Sequence, residues 1–335
     1  MDLSGLLLPP AVFLGLGLTL WTYKCLMMVL FQNKIIYMPN IPPFSRSEKV
    51  ETYAKRCLPV RWREESTVTA DGVRISLLVG SSMHSTDLES SEDHLVVLYF
   101  QGNASSLPPR LPYFSDTIKM VNRVSNSDNN ADSPPKKTFS FVAVSYRGYW
   151  TSSGRASAKG IERDAAAALH WILQRYASVK HLKIVLWGQS IGAGVATNAA
   201  AEYLEAADIS QRRPIIDGMV LETPFTSVRE VLLAFYPQKW LPYRYLTPFL
   251  RSHWDSEEAL RRIAHAAGDR KPTTLILEAG KDEVVPHGQA ERIEELCKSL
   301  GLDVERKTIA GALHTELMAK ADGRRETARF LSEKF

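Results

Sequence analysis

The sequence predicts an α/β protein: a mainly parallel sheet with helices on both faces and a cap insertion, preceded by one N-terminal transmembrane helix. Three observations carry the prediction. Short runs rich in Val, Ile, Leu and aromatic residues alternate with helical patterns from residue 94 onward, as parallel βαβ units require. A Gly-x-Ser-x-Gly segment, residues 188–192, lies between one such run and a helix-forming stretch. Leu3 to Tyr23 carries no charged residue, and after Lys24 the apolar run resumes to Phe31.

The N-terminal segment is long enough to cross a bilayer, for which about 20 apolar residues suffice. Pro9 and Pro10 suit a helix start, so Pro9 to Phe31 reads as one span, with Lys24 reaching toward an interface. A cleaved signal peptide fits less well, because the chain opens Met1-Asp2 without a basic n-region and offers no small-residue cleavage site. Residues 1–36 are therefore expected to be an anchor. The Pro-rich stretch 37–44 serves as a connector that cannot continue a helix, and residues 45–335 form a globular domain. Lys24 and Lys34 favour a cytosolic domain.

Strands are expected at Arg61 to Val68 and Val73 to Val79 as an antiparallel start. His94 to Phe100, Thr138 to Ser145, Leu182 to Trp187, Gly218 to Leu221, Thr273 to Ala279 and Val304 to Thr308 follow as the parallel series. Polar stretches at 81–93 and 125–137 read as surface insertions. A cap insertion covers about residues 223–270 and holds Phe235, Tyr236, Trp240, Tyr243, Tyr245, Phe249 and Trp254. These aromatics either roof an apolar ester site or pack the cap on the core. The formal charge of +4 and the lack of long like-charge runs make nucleic acid an unlikely partner. Cys25, Cys57 and Cys297 are odd in number and widely spaced, indicating neither a disulfide framework nor a zinc site.

The chemistry centres on Gly188-Gln189-Ser190-Ile191-Gly192. A serine at a sharp strand-to-helix turn projects its hydroxyl from the sheet's carboxyl edge, and the flanking glycines let the backbone pass. The next amide, that of Ile191, opens a helix and can face a developing oxyanion. A serine hydroxyl needs a base, and the base needs an orienting acid. In chain order these are expected to be Ser190, then Asp282 after the strand ending at Ala279, then His314 in the turn after the last strand. Glu222, ending the strand before the cap, is the alternative acid, and His287 the alternative histidine. Gln101-Gly102-Asn103-Ala104 ends an earlier strand where a second oxyanion amide belongs, and Asn103 is its candidate donor. No cofactor is required.

Several motifs occur in order beside this one: Gln101 to Ala104, Ser145-Tyr146-Arg147-Gly148-Tyr149 with Ser153-Gly154, and Lys159-Gly160-Ile161. Glu222 to Ser227, Gly280-Lys281-Asp282 and Gly311 to His314 complete the series. Together they resemble the membrane-anchored alpha/beta-hydrolases related to bud-emergence proteins and to alpha/beta-hydrolase domain-containing protein thirteen. The resemblance covers nearly the whole chain, including Tyr37-Met38-Pro39. It implies the alpha/beta-hydrolase fold and an integral-membrane enzyme of the endoplasmic reticulum or another endomembrane, and it allows either topology. The expected reaction is hydrolysis of a carboxylic ester or thioester of a lipid-like or acylated substrate; the alternative is a non-catalytic membrane scaffold. Two departures stand at the expected pocket: Gln101 where the family usually has His, and Trp150 where it usually has Gly. Gln101 is expected to prop the oxyanion loop, with its amide satisfied by nearby backbone.

Overall fold

The computed structural model describes residues 3–81, 93–126, 137–206 and 215–334. Most of the polar insertions expected at 81–93 and 125–137 lie outside them.

Eight strands form one sheet: β1 (Arg61–Val68), β2 (Arg74–Ser81), β3 (Asp93–Phe100), β4 (Lys137–Ser145), β5 (His181–Gln189), β6 (Ile215–Glu222), β7 (Thr273–Ala279) and β8 (Val304–Ile309). Their order is β1-β2-β4-β3-β5-β6-β7-β8. The β1/β2 and β2/β4 pairs are antiparallel and the rest parallel. This is the antiparallel start and parallel series that the apolar runs predict. The central strands are apolar on both faces because helices cover both. Helices Ala158–Arg175, Ile191–Glu205, Ser256–Ala266 and Gln289–Ser299 bury residues such as Ile161, Val195, Leu260 and Ile293 against one face. Leu111–Asn126 and Ala321–Ser332 bury Phe114, Ile118, Phe330 and Leu331 against the other.

One polar group inside this core sets a pH dependence. His94 of β3 is buried, stacks on Tyr176 and bonds to the Thr138 and Ser140 hydroxyls. Burial lowers its pKa to about 4, so the folded state keeps it neutral where an unfolded chain would protonate it near pH 6.5. Its contribution is therefore present above about pH 6.5 and is lost as pH falls toward 4, by up to about 3 kcal/mol. Thermal midpoints of the detergent-solubilised protein between pH 7 and 4 are expected to fall less steeply in His94→Gln than in wild type; parallel curves would contradict this.

The N-terminal helix runs from Leu3 to Tyr37, so it begins before Pro9 and Pro10 rather than at them. Residues Leu8–Tyr37 are long and apolar enough to cross a membrane. Its first part stands free of the globular body, with Phe13 and Leu14 exposed. Its last part is docked. Gln32 donates to the Phe249 carbonyl at 3.1 Å and accepts from the Arg251 amide at 2.7 Å, and the Arg251 guanidinium reaches the Val29 carbonyl at 2.8 Å. Tyr37 is fully buried. A boundary at residue 36 thus cuts through packed structure, and the stretch 37–44 is part of the fold as well as a connector.

Candidate active site

The β5-to-helix turn has the shape its glycines allow. Ser190 has φ 53° and ψ −119°, a left-handed backbone that costs a non-glycine residue on the order of 1–3 kcal/mol. The surroundings hold it there: its amide donates to the Glu222 carbonyl at 2.8 Å and its carbonyl accepts from Ala193 at 2.8 Å. A Cβ on Gly188 would stand 2.0 Å from the Gly192 carbonyl oxygen, and one on Gly192 would stand 2.2 Å from the Phe100 oxygen. Both positions therefore exclude any side chain, and the helix that opens at Ile191 comes close under β3.

Asp282 and His314 come from the loops after β7 and β8 and meet. His314 Nδ1 lies 3.0 and 2.9 Å from the two Asp282 carboxylate oxygens. The Val284 and Val285 amides donate to Asp282 Oδ1 at 2.9 and 2.7 Å. Burial pushes the Asp282 carboxyl up, but His314 and these amides outweigh it and hold it below its ordinary value. The His314 backbone amide is fixed by Glu283 at 2.9 Å. The other ring nitrogen, Nε2, is buried without a hydrogen-bond partner among the described residues. His314 and Ser190 line the same cavity of about 290 Å³.

Glu222 is placed differently. It is fully buried, accepts from Trp187 Nε1 at 3.2 Å and lies 3.7 Å from Arg110. Burial raises its pKa, with Arg110 opposing. Its carboxylate makes no hydrogen bond to His314. His287 lines a separate small cavity beside Asp282 and is not among the residues around Ser190.

The same cavity is bounded by the loop Gln101–Ser106 and by Arg110, Gln189 and Thr315. Asn103 lies on it. Ala104 and Ser105 have φ of 58° and 61°, and their amides are turned away to the Tyr37 and Ile41 carbonyls at 2.8 and 2.5 Å. The Tyr37 carbonyl also accepts from Tyr149 Oη at 2.5 Å, and Tyr37 Oη is held by Ser252 and Trp254. The end of the N-terminal helix thus braces this loop. Sequence reasoning missed that role; an aromatic residue ending the apolar segment just before a Pro-rich turn was the available signal.

Three expectations are corrected. Gln101 is buried, and its side-chain amide has no partner on either atom among the described residues; only its backbone carbonyl is bonded, by Tyr146 Oη at 2.9 Å. The amide does not prop the loop through backbone contacts. Trp150 does not border this cavity: it is buried, with Nε1 donating to the Glu48 carbonyl at 2.8 Å. The cap's aromatics neither roof the cavity nor, apart from Trp254, bury themselves in the core.

A strained serine at a strand-to-helix turn, with a histidine and a carboxylate from the loops after the last two strands of a mainly parallel sheet, defines the alpha/beta-hydrolase class. Residues 142–318 match the family described as alpha/beta hydrolase fold, and the chain belongs to that family and is a hydrolase. Protein bem46 of Schizosaccharomyces pombe is 31% identical over 272 residues, 80% of this chain and 76% of that protein. Lysophosphatidylserine lipase ABHD12 of Danio rerio is 30% identical over 61% of this chain, a region that makes up 47% of that longer protein. The hyperthermophilic esterase from the archaeon Pyrobaculum calidifontis superimposes with a TM-score of 0.56 at 17% identity, over 87% of this chain and 88% of that one; this is a likeness of fold.

Proposed function

We propose that this chain is a membrane-anchored serine ester hydrolase. Ser190 attacks the ester or thioester carbonyl, His314 takes its proton and returns it to the leaving group, and Asp282 fixes the imidazole tautomer. The Ile191 and Asn103 amides hold the oxyanion. One observation carries the reading: His314 binds Asp282 through Nδ1, its Nε2 has no partner among the described residues, and His314 lines the same cavity as Ser190. Within residues 1–36 the free part of the helix acts as a single-pass anchor in an endomembrane and its last turns dock on the body, 37–44 connect while packing against the fold, and 45–335 form the rest of the catalytic domain.

The anchor and the lipase among the relatives favour a lipid-like or acylated substrate, and the cavity adds a requirement. Besides Gln101, Gln189 Nε2 and Ser106 Oγ are buried without partners among the described residues, and Arg110 stands beside them. Buried polar groups left unpaired cost about 1–3 kcal/mol each, so a substrate that supplies polar atoms near the scissile bond is favoured over a purely aliphatic ester. Comparing cellular lipid extracts from wild type and Ser190→Ala tests the reading: polar-headgroup acyl lipids are expected to accumulate in the variant. Indistinguishable extracts would refute it.

Gln101 gives a sharper check. Gln101→His replaces a neutral donor and acceptor with a ring of different reach, and is expected to change the ratio of kcat/KM between a glycerophospho-headgroup ester and an aliphatic ester by more than about tenfold, about 1.4 kcal/mol. An unchanged ratio with lowered stability would mean that Gln101 only fills space.

A further inference from the structure

We propose that the outer surface of the cap, residues 235–249, is a membrane-docking surface that lies in the headgroup layer of the bilayer entered by the N-terminal helix. The inference rests on the reading of that helix as a span.

The aromatics that sequence alone assigns to a roof or a core are turned outward: Trp240 is 76% exposed, Phe249 59%, Tyr245 57% and Phe235 46%. A cluster of large exposed aromatics on one segment marks a binding surface. Its occupant follows from where the cap meets the helix. Lys24 is the charged residue that interrupts the apolar stretch Leu3 to Phe31, and a lysine within a span extends its ammonium to the edge of the hydrocarbon. Lys24 Nζ sits 5.6 Å above the ring of Tyr243, on which Tyr236 stacks at 3.7 Å. Tyr243 and Tyr236 are therefore at the level where the helix leaves the apolar layer, the level at which Trp and Tyr form interfacial belts.

The contacts of Gln32 with Phe249 and Arg251 pin the cap to the helix about 12 Å farther along, at 1.5 Å of rise per residue. The cap cannot swing away from that level without breaking them. Charge agrees with the assignment. From Val231 to Trp254 the chain holds no acidic residue but carries Lys239, Arg244 and Arg251, all exposed, and basic side chains near a membrane surface are attracted to anionic lipid.

The test uses the full-length chain in phosphatidylcholine vesicles containing phosphatidylserine, with an environment-sensitive dye on a single introduced cysteine; the native Cys25, Cys57 and Cys297 are buried. Three positions are compared: Phe13→Cys on the free part of the helix, Trp240→Cys on the cap, and Arg325→Cys on the far helix. Dyes at 13 and 240 are expected to shift to the blue and to be quenched by brominated lipid, while the dye at 325 is not. Quenching at 13 with a water-like signal at 240 would overturn the docking surface and leave the span intact. A water-like signal at 13 would overturn the span reading and the docking surface with it. Leaving out phosphatidylserine is expected to weaken quenching at 240 and leave that at 13 unchanged; equal loss at both would contradict the role given to the basic residues.

Discussion

Ser190→Ala and His314→Ala are each expected to remove ester hydrolysis by more than about 10³-fold while leaving the thermal transition cooperative. The magnitude follows from the geometry. Ser190 is the hydroxyl held at the strained turn, and His314, the proposed base, is bonded to Asp282 through Nδ1, has an unpartnered Nε2 and lines the same cavity as Ser190. Removing either ends the proton path, so the double variant should be barely worse than the worse single one. The Ser190→Ala protein keeps Gly188 and Gly192, whose contacts set the turn, and should fold. Turnover of a soluble aryl ester and of a vesicle-borne ester, beside a melting curve, checks both points. Retained hydrolysis by folded Ser190→Ala would assign the nucleophile elsewhere.

Exchanging the two candidate acids separates them. Asp282→Asn is expected to cost on the order of 10⁴ in kcat, the scale of that replacement in a serine triad, because an amide stabilises the wrong imidazole tautomer and cannot balance the imidazolium. Glu222→Gln is expected to cost less than about tenfold. Asp282 is bonded to the ring and held ionised by it and by two amides, whereas Glu222 is buried, shifted upward and joined to Trp187 and Arg110. Environments that push two carboxylates in opposite directions suit them to different roles, which is why Asp282 is the expected acid. The depressed Asp282 value also fixes the sign of a pH effect: the interaction is present above the ordinary carboxylate range and is lost as pH falls below about 4. The reverse ranking of the two variants would move the acid to the end of β6.

Much of this was legible in the sequence for a physical reason. Buried parallel strands read as continuous apolar runs, so β3 to β7 stand out and their carboxyl ends mark where side chains converge, whereas the edge strand β8, Val304–Ile309, is polar and only partly buried. Gly188 and Gly192 announce a turn that no other residues can make. The docking of the N-terminal helix was not legible, because an apolar helix looks the same whether it touches lipid or a neighbouring cap. The hydrogen bonds of Gln32 and the burial of Tyr37 belong to tertiary contacts between residues more than 60 positions apart in the chain. The outward turn of Trp240 and Phe249 was hidden for the same reason: aromatic content does not state a direction. Gln101 and Trp150 were marked by their departure from the family pattern, and only their surroundings separate an unpartnered amide of a cavity-lining residue from an indole bonded away from the cavity.

An activated serine at position 190 is read out by a labelled fluorophosphonate on the full-length protein in membranes, with the modified peptide mapped. One adduct is expected, on Ser190, absent from folded Ser190→Ala and strongly reduced in His314→Ala. Folded wild-type protein that takes no label, or a label that persists in Ser190→Ala, would contradict it.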